Sequence, residues 1–305
     1  MLHILSIVLP VFGLIGLGFF ARLVRLVGDS TGEGLSDFVF AIAIPCLIFK
    51  TLTGTALPDS QPWGYWLSYF GAVAIVWSLC HWIAARFYQL DHGTSVVAGF
   101  TGAQANTVLV GVPLILQAYG KEGAVPLFLL IAVHLPIMFT VATVLIEGRS
   151  AHWPTVIRQL ILHPILLSIL FSSAFHLSGF DVPELAKQLI DPIAASALPC
   201  ALFAMGIALK RYGVSSNLAL SGILSVIKLL VHPALVYVLT FYVFPVPPVW
   251  AGVAVLFASS PSGINAYLFA ERYKTGVVLA SGGIALSTAL SVLSSSLWLA
   301  ILGIR

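Results

Sequence analysis

GFTGAQANTVLVGVPLILQAYG (Gly99–Gly120) and GVAVLFASSPSGINAYLFAERY (Gly252–Tyr273) decide how this chain is read. Each is long and apolar enough to cross a bilayer, which takes roughly 20 residues as a helix. Each is also interrupted near its centre, at Asn106–Thr107 in the first and Ser260–Pro261 in the second. Pro261 has no N–H to donate and its ring crowds the preceding turn. Unwound backbone at membrane depth is tolerated only where it is buried in protein or lines a cavity. The two interruptions therefore mark a place where function outweighs helix continuity.

Outward from these stretches the chain keeps the same character. Of its 305 residues, 59% are hydrophobic and 8% are charged, with a mean hydropathy of +1.04. A soluble domain carries about 25% charged residues, so water is not the solvent for most of this surface. Apolar runs predict spans at 3–24, 34–52, 64–86, 94–119, 124–146, 157–177, 185–209, 216–243, 248–270 and 276–302. The expected fold is an all-α polytopic membrane protein of ten transmembrane helices, with the lipid bilayer as its surroundings and no separate soluble domain. The stretch MLHILSIVLPVFGLIGLGFFARL lacks a basic start and a small-residue cleavage site, and reads as the first span rather than a signal peptide.

Sliding the sequence on itself by 154 residues aligns Pro10 with Pro164, Pro45 with Pro199, Cys46 with Cys200, Phe49 with Phe203 and Tyr119 with Tyr273. The two interruptions also fall together at this offset. The chain then divides into two five-span repeats, residues 1–150 and 151–305. Five crossings are an odd number, so the second copy enters the bilayer from the opposite face and the repeat is inverted. Inverted repeats in transporters place the substrate near the midplane, at broken helices in matching positions.

Half-helix N-termini at such breaks carry partial positive charge and unpaired N–H groups, which suit an anion. Asn106, Thr107, Ser260, Ser262 and Asn265 are placed to add side-chain hydrogen bonds beside Pro261. The plainer alternative is a pair of proline kinks, with Gly99, Gly102 and Gly111 serving close packing. Lys228 lies roughly 18 Å into its span at 1.5 Å per residue. A lysine at that depth costs about 2.5–3.5 kcal/mol on insertion scales, and no Asp or Glu sits at comparable depth. Its negative partner is then the substrate, a helix C-terminus or a set of backbone carbonyls. His134 and His232 lie at mid-depth and are candidates for carrying a coupling proton, or are neutral core residues.

Other function classes lose support. Cys46, Cys80 and Cys200 show no metal-ligand or disulfide spacing. No HExxH, GxSxG or GxxxxGK[ST] motif is present, so no metal, no cofactor, no enzyme chemistry and no direct ATP use are expected. The net charge of +3 is spread over the loops and gives no nucleic-acid signal. With the N-terminus outside, nine Lys and Arg (Arg22, Arg25, Arg86, Arg149, Arg158, Lys210, Arg211, Arg272, Lys274) fall on the cytoplasmic side and four (Lys50, Lys121, Lys187, Arg305) outside. That bias predicts a plasma (inner) membrane protein with both termini outside.

Asn106-Thr107-Val-Leu-Val-Gly111-Val-Pro113-Leu-Ile-Leu-Gln-Ala-Tyr119-Gly120 closely resembles the fourth-span signature of the auxin efflux carrier family. Ser260-Pro261-Ser-Gly263-Ile-Asn-Ala-Tyr-Leu-Phe269-Ala270-Glu271-Arg-Tyr273 resembles that family's ninth-span signature, and Leu145–Arg149 is also similar. The likeness covers the whole chain and suits the compact bacterial members. It implies an elevator-type carrier, with a scaffold from spans one, two, six and seven and a transport domain from spans three to five and eight to ten. It also implies a homodimer formed through the scaffold, helix breaks crossing at Asn106, Gly111, Pro113, Pro261 and Gly263, and small organic anions as substrates. Ala105 stands where plant members usually carry proline, and span three (Trp77–His81) lacks their acid–base pair. The function expected is secondary transport of small carboxylates of the malate, malonate or auxin type. A sodium-coupled symporter of the same fold and a non-transporting membrane sensor or scaffold are the alternatives.

Overall fold

A computed structural model describes residues 2–54, 62–148, 154, 157–158, 162–212 and 217–304. The boundary between residues 150 and 151, and the charges at Asp59, Arg149 and Arg305, lie outside the described residues, as does the side chain of Arg211. The described residues form helices and no strand. In chain order these are α1 (Leu2–Leu23), α2 (Asp29–Thr53), α3 (Trp63–Phe87), α4 (His92–Ala103), α5 (Thr107–Tyr119) and α6 (Ala124–Glu147). They continue as α7 (Pro164–Leu177), α8 (Glu184–Tyr212), α9 (Leu218–Val243), α10 (Pro248–Ser259), α11 (Ile264–Tyr273) and α12 (Val277–Ile301).

Among the described residues, seven helices (α1, α2, α3, α6, α8, α9 and α12) are long and apolar enough to cross a membrane. The shorter apolar helices include α5, α7 and α10. Leucines face outward along α1, with Leu5, Leu9 and Leu17 more than half exposed. Their spacing of four and eight residues makes one apolar stripe, which water would not support and lipid does.

α1 and α2 pack along α8, and α2 packs on α7. α4 lies against α3, α6 and α12, while α10 lies against α6, α9 and α12. The α1–α8 contact is a backbone crossing: a Cβ at Gly206 would lie 2.7 Å from the Phe19 nitrogen and 2.9 Å from the Cα of Gly18. Small residues permit that approach, as in other helix pairs in membranes.

Wide π-helical turns occur at Val39–Ala43, Thr107–Gly111, Ile227–Val231 and Leu239–Val243. Pro45, Pro113 and Pro233 each follow one of them by two residues. Proline removes a hydrogen bond and crowds the carbonyl four residues back, and a wide turn relieves that crowding. The carbonyl freed by Pro233 is that of Leu229. It accepts instead from Ser294 Oγ (2.7 Å) and Trp298 Nε1 (3.0 Å), both on α12.

Candidate functional site

Each of the two quoted stretches folds as a pair of half-helices, α4–α5 and α10–α11. α4 starts on an Asp91 cap that accepts from the Thr94 N–H (3.0 Å) and hydroxyl (2.6 Å). These bonds stabilise the ionised Asp91 carboxylate, holding it below the usual carboxylate range. Gly102 lies against the Cys80 side chain, so α4 presses closely on α3. α4 ends at Ala103, and Gln104 turns extended. α10 ends at Ser259, after which Ser260 and Gly263 are extended.

The two breaks pair with each other. Asn106 N–H donates to the Pro261 carbonyl at 2.7 Å, and Gly263 N–H donates to the Gln104 carbonyl at 3.2 Å. Ala105 and Ser262 thus form an isolated antiparallel bridge. The Ser262 N–H is taken by Ser287 Oγ (3.0 Å), and Ser262 Oγ donates to the Thr101 carbonyl (2.8 Å). This mutual pairing is how irregular backbone survives at a depth without water. The C-terminal ends of α4 and α10 and the N-terminal ends of α5 and α11 converge there.

The structure brings most of the sequence-predicted residues to this crossing. Asn106, Thr107, Ser260, Pro261 and Ser262 are buried within it. Asn106 caps α5, its side-chain oxygen accepting from Leu109 N–H at 3.3 Å, while its amide contacts Met205 Sδ of α8 at 3.3 Å. Gly111 lies under the second break: a Cβ there would sit 3.2 Å from Ser260 Oγ. Pro113 occupies the start of the regular part of α5, and Gly263 is the N-cap of α11. Asn265 sits apart, half-buried in the first turn of α11. It lines a cavity of about 290 Å³ together with Asp29, Glu33 and Asp37 of α2 and Ile264 and Leu268 of α11.

Lys228, His134 and His232 form a second group, behind α10. Lys228 is fully buried, and its Nζ donates to the Ala258 carbonyl at 2.5 Å and lies 3.3 Å from His232 Nδ1. Ala258 belongs to the last turn of α10, so the negative helix end lies against the lysine. His134 Nδ1 is 3.1 Å from the Tyr69 hydroxyl, and the Tyr69 ring stands 5.8 Å from that of His232. Lys228 meets the crossing through α10, at Ala258, two residues before Ser260. A larger cavity of about 490 Å³, lined by Lys50, Phe175, Asp191 and others, lies at the other end of α2, away from the crossing.

Sequence reasoning missed Gln104. Its side chain is wholly buried at the end of α4, and neither Oε1 nor Nε2 has a hydrogen-bond partner. It lies over Gly263, where an added Cβ would overlap the carboxamide. A polar residue two positions before Asn106 in an apolar span was the available signal. Ser287 and Tyr69 were also missed, and their spans read as ordinary apolar or hydroxyl-rich helix.

The profile of a family described as Membrane transport protein matches residues 3–299. The chain belongs to this family, the auxin efflux carriers. A Rhizobium meliloti protein named "Putative malonate transporter" is 33% identical over 300 residues, covering 96% of this chain and 93% of its own length. An uncharacterized transporter of Methanothermobacter thermautotrophicus is 26% identical over 307 residues, covering 97% of each. Auxin efflux carrier component 8 of Arabidopsis thaliana is 20% identical over 346 residues, covering 92% of each. This auxin efflux carrier family member is thus a multi-pass membrane transporter. Its first break forms without the proline usual before the asparagine: Ala105 pairs across to Ser262 with an ordinary backbone.

Proposed function

We propose that this transporter carries small organic anions, specifically short carboxylates of the malonate type, as a secondary carrier working by alternating access. The anion binds where the two broken helices cross, between the Asn106–Thr107 end of α5 and the Ser260–Asn265 segment leading into α11. The observation that carries the reading is the reciprocal bridge between Ala105 and Ser262. It holds two helix N-termini at one buried point, where unpaired N–H groups and partial positive charge favour an anion. The name of the Rhizobium relative supports the substrate class.

In this reading the chain has ten spans in two inverted repeats, with α4–α5 and α10–α11 each counted as one span. Spans one, two, six and seven (α1, α2, α7, α8) form a scaffold, through which two copies associate as a homodimer. The remaining helices form the body that moves as an elevator. The carrier sits in the plasma membrane with both termini outside, so the 290 Å³ cavity near Asp29 faces the cytoplasm. Lys228 acts from behind α10 by fixing the helix end beside Ser260. His134 and His232, beside it, are the groups proposed to carry any coupling proton.

Uptake into proteoliposomes from a panel of mono- and dicarboxylates tests this. Asn106→Ala should lower uptake of the preferred acid at least tenfold. Unchanged uptake of every transported acid in that variant would remove the site from the crossing.

A further inference from the structure

We infer that Gln104 is a substrate-recognition residue whose carboxamide pairs with a protonated carboxyl group, so that the transporter takes a short dicarboxylic acid in its singly charged form. This rests on the crossing being the carboxylate site, as proposed above.

Three observations point the same way. Gln104 is fully buried with both amide atoms unpartnered, whereas buried polar groups in native proteins are nearly always paired. The carboxamide lies over Gly263, the N-cap of the ten-residue helix α11, and the Gly263 N–H bonds to the Gln104 carbonyl. It therefore faces the first turn of α11, where the leading N–H groups have no intrahelical acceptor. The cavity beside α2 reaches that same turn through Ile264 and Asn265, and continues to Leu268 one turn on.

The chemistry then selects the charge state. A carboxamide offers one acceptor and two donors on adjacent atoms. A protonated carboxyl offers the complement, an O–H to give and a C=O to receive. A carboxylate offers acceptors only and would set an oxygen against Oε1. Each helix N-terminus is equivalent to roughly half a positive charge, so α5 and α11 together offset about one negative charge, not two. Asp29, Glu33 and Asp37, four residues apart on α2, line the approach together with His163 at the start of α7, and Arg22 is bonded to Asp29 at 2.8 and 2.6 Å, so carboxylates outnumber the basic groups there. An acidic mouth disfavours a dianion more than a monoanion.

No titratable side chain packed around α4 and α11 bonds to the carboxamide. On α3, Tyr65 donates to the Pro126 carbonyl, Tyr69 pairs with His134, Cys80 packs on Gly102, His81 meets the His92 ring edge-on, and Arg86 lies in the last turn. On α6, Glu147 accepts from the Tyr273 hydroxyl at the far end of α11, where Arg272 also lies. On α9, Lys228 and His232 are engaged with each other and with Ala258. α12 contributes no titratable group. The proton in this pairing is therefore the substrate's own.

Competition against labelled malonate in proteoliposomes tests the inference with the wild-type chain alone. Malonate monoamide keeps a donor beside a carbonyl, and should compete within about threefold of malonate at acidic pH. Monomethyl malonate lacks the donor and should be at least tenfold weaker. The initial rate of malonate uptake should fall about tenfold per pH unit above the acid's second ionisation. Gln104→Leu should abolish the preference for the amide over the ester. Equal competition by amide and ester, or uptake rising with the dianion, overturns the inference while leaving the carboxylate site standing. A Gln104→Leu chain that folds and keeps the wild-type preference does the same. If that variant does not fold, the wild-type competition and pH series decide. No uptake of any carboxylate by the wild type overturns both.

Discussion

At the second break the last turn of α10 is held by the buried amine of Lys228, which donates to the Ala258 carbonyl. At the first break the last turn of α4 is held by a neutral hydroxyl, Ser262 on the Thr101 carbonyl, with Gln104 left unpaired beside it. The starts differ too: α4 begins on the Asp91 cap, whereas α10 begins on Pro247 and Pro248. The two halves share a backbone solution and differ in what holds each helix end. One break is pinned by a long amine side chain from a neighbouring helix at the end nearest the crossing. The other is anchored at its far end and keeps unspent hydrogen-bonding capacity at the crossing.

The sharpest way to break this comparison is to remove each pin. Lys228→Met keeps most of the volume but deletes a buried hydrogen bond and strands the Ala258 carbonyl, at a cost of about 2–3 kcal/mol. Ser262→Ala deletes one neutral bond and should cost about 1 kcal/mol. Thermal melting of both variants in detergent measures the gap, and equal losses would mean that the lysine and the hydroxyl hold the two ends equally well. Next come the glycines. Gly263→Ala places a methyl 2.8 Å from the Ala105 carbonyl and against Gln104, and overpacking of that kind costs about 1–3 kcal/mol. Gly111→Ala is tight only against Ser260 Oγ, at 3.2 Å, with the Asn106 carbonyl (3.5 Å) and Thr107 Cβ (3.8 Å) in ordinary contact, and should lose less than half as much in the same melts.

A smaller effect sharpens the contrast at the helix starts. Asp91→Ala should cost about 0.5–1 kcal/mol by removing the α4 cap. Because the folded carboxyl is held below its unfolded value of about 3.9, that contribution is present above the unfolded value. It is lost as pH falls through the lower folded value. The wild type and Asp91→Ala should therefore converge in stability toward acid. The smallest effect is expected for Ala105→Pro. The bridge uses the N–H groups of Asn106 and Gly263, not that of Ala105. Gln104 already has ψ near 124°, which suits a residue before proline. A change within about 0.5 kcal/mol is expected, and a large loss would show that Ala105 N–H has a structural use.

Much of this was legible in the sequence, for identifiable reasons. Span limits followed from apolar length, and helices such as Trp63–Phe87 and Ala124–Glu147 end within a residue of the expected positions. The breaks were legible because Asn106 and Ser260–Pro261 interrupt otherwise apolar runs. Lys228 announced itself by depth, and a helix C-terminus was among the partners considered. Which carbonyl it met could not be read, because Ala258 looks like any other alanine. Nor could the split among the predicted residues be read. Asn265 follows Ser262 by three residues, yet an extended Gly263 sends it to the cavity face. Gln104 carries no decisive signal, because a single glutamine in a span is silent until its neighbours are known to leave it without partners.

The contact between Gly18 and Gly206 has a mechanical meaning. Most helix pairs touch through side chains, whose torsions give way under load like short springs. Where α1 crosses α8, backbone lies against backbone, and nothing between them can yield by changing rotamer. Such a joint is stiff in compression, and neither helix can roll over the other without first drawing apart. A bulkier residue at either glycine would act as a wedge, and its strain would spread along both helices.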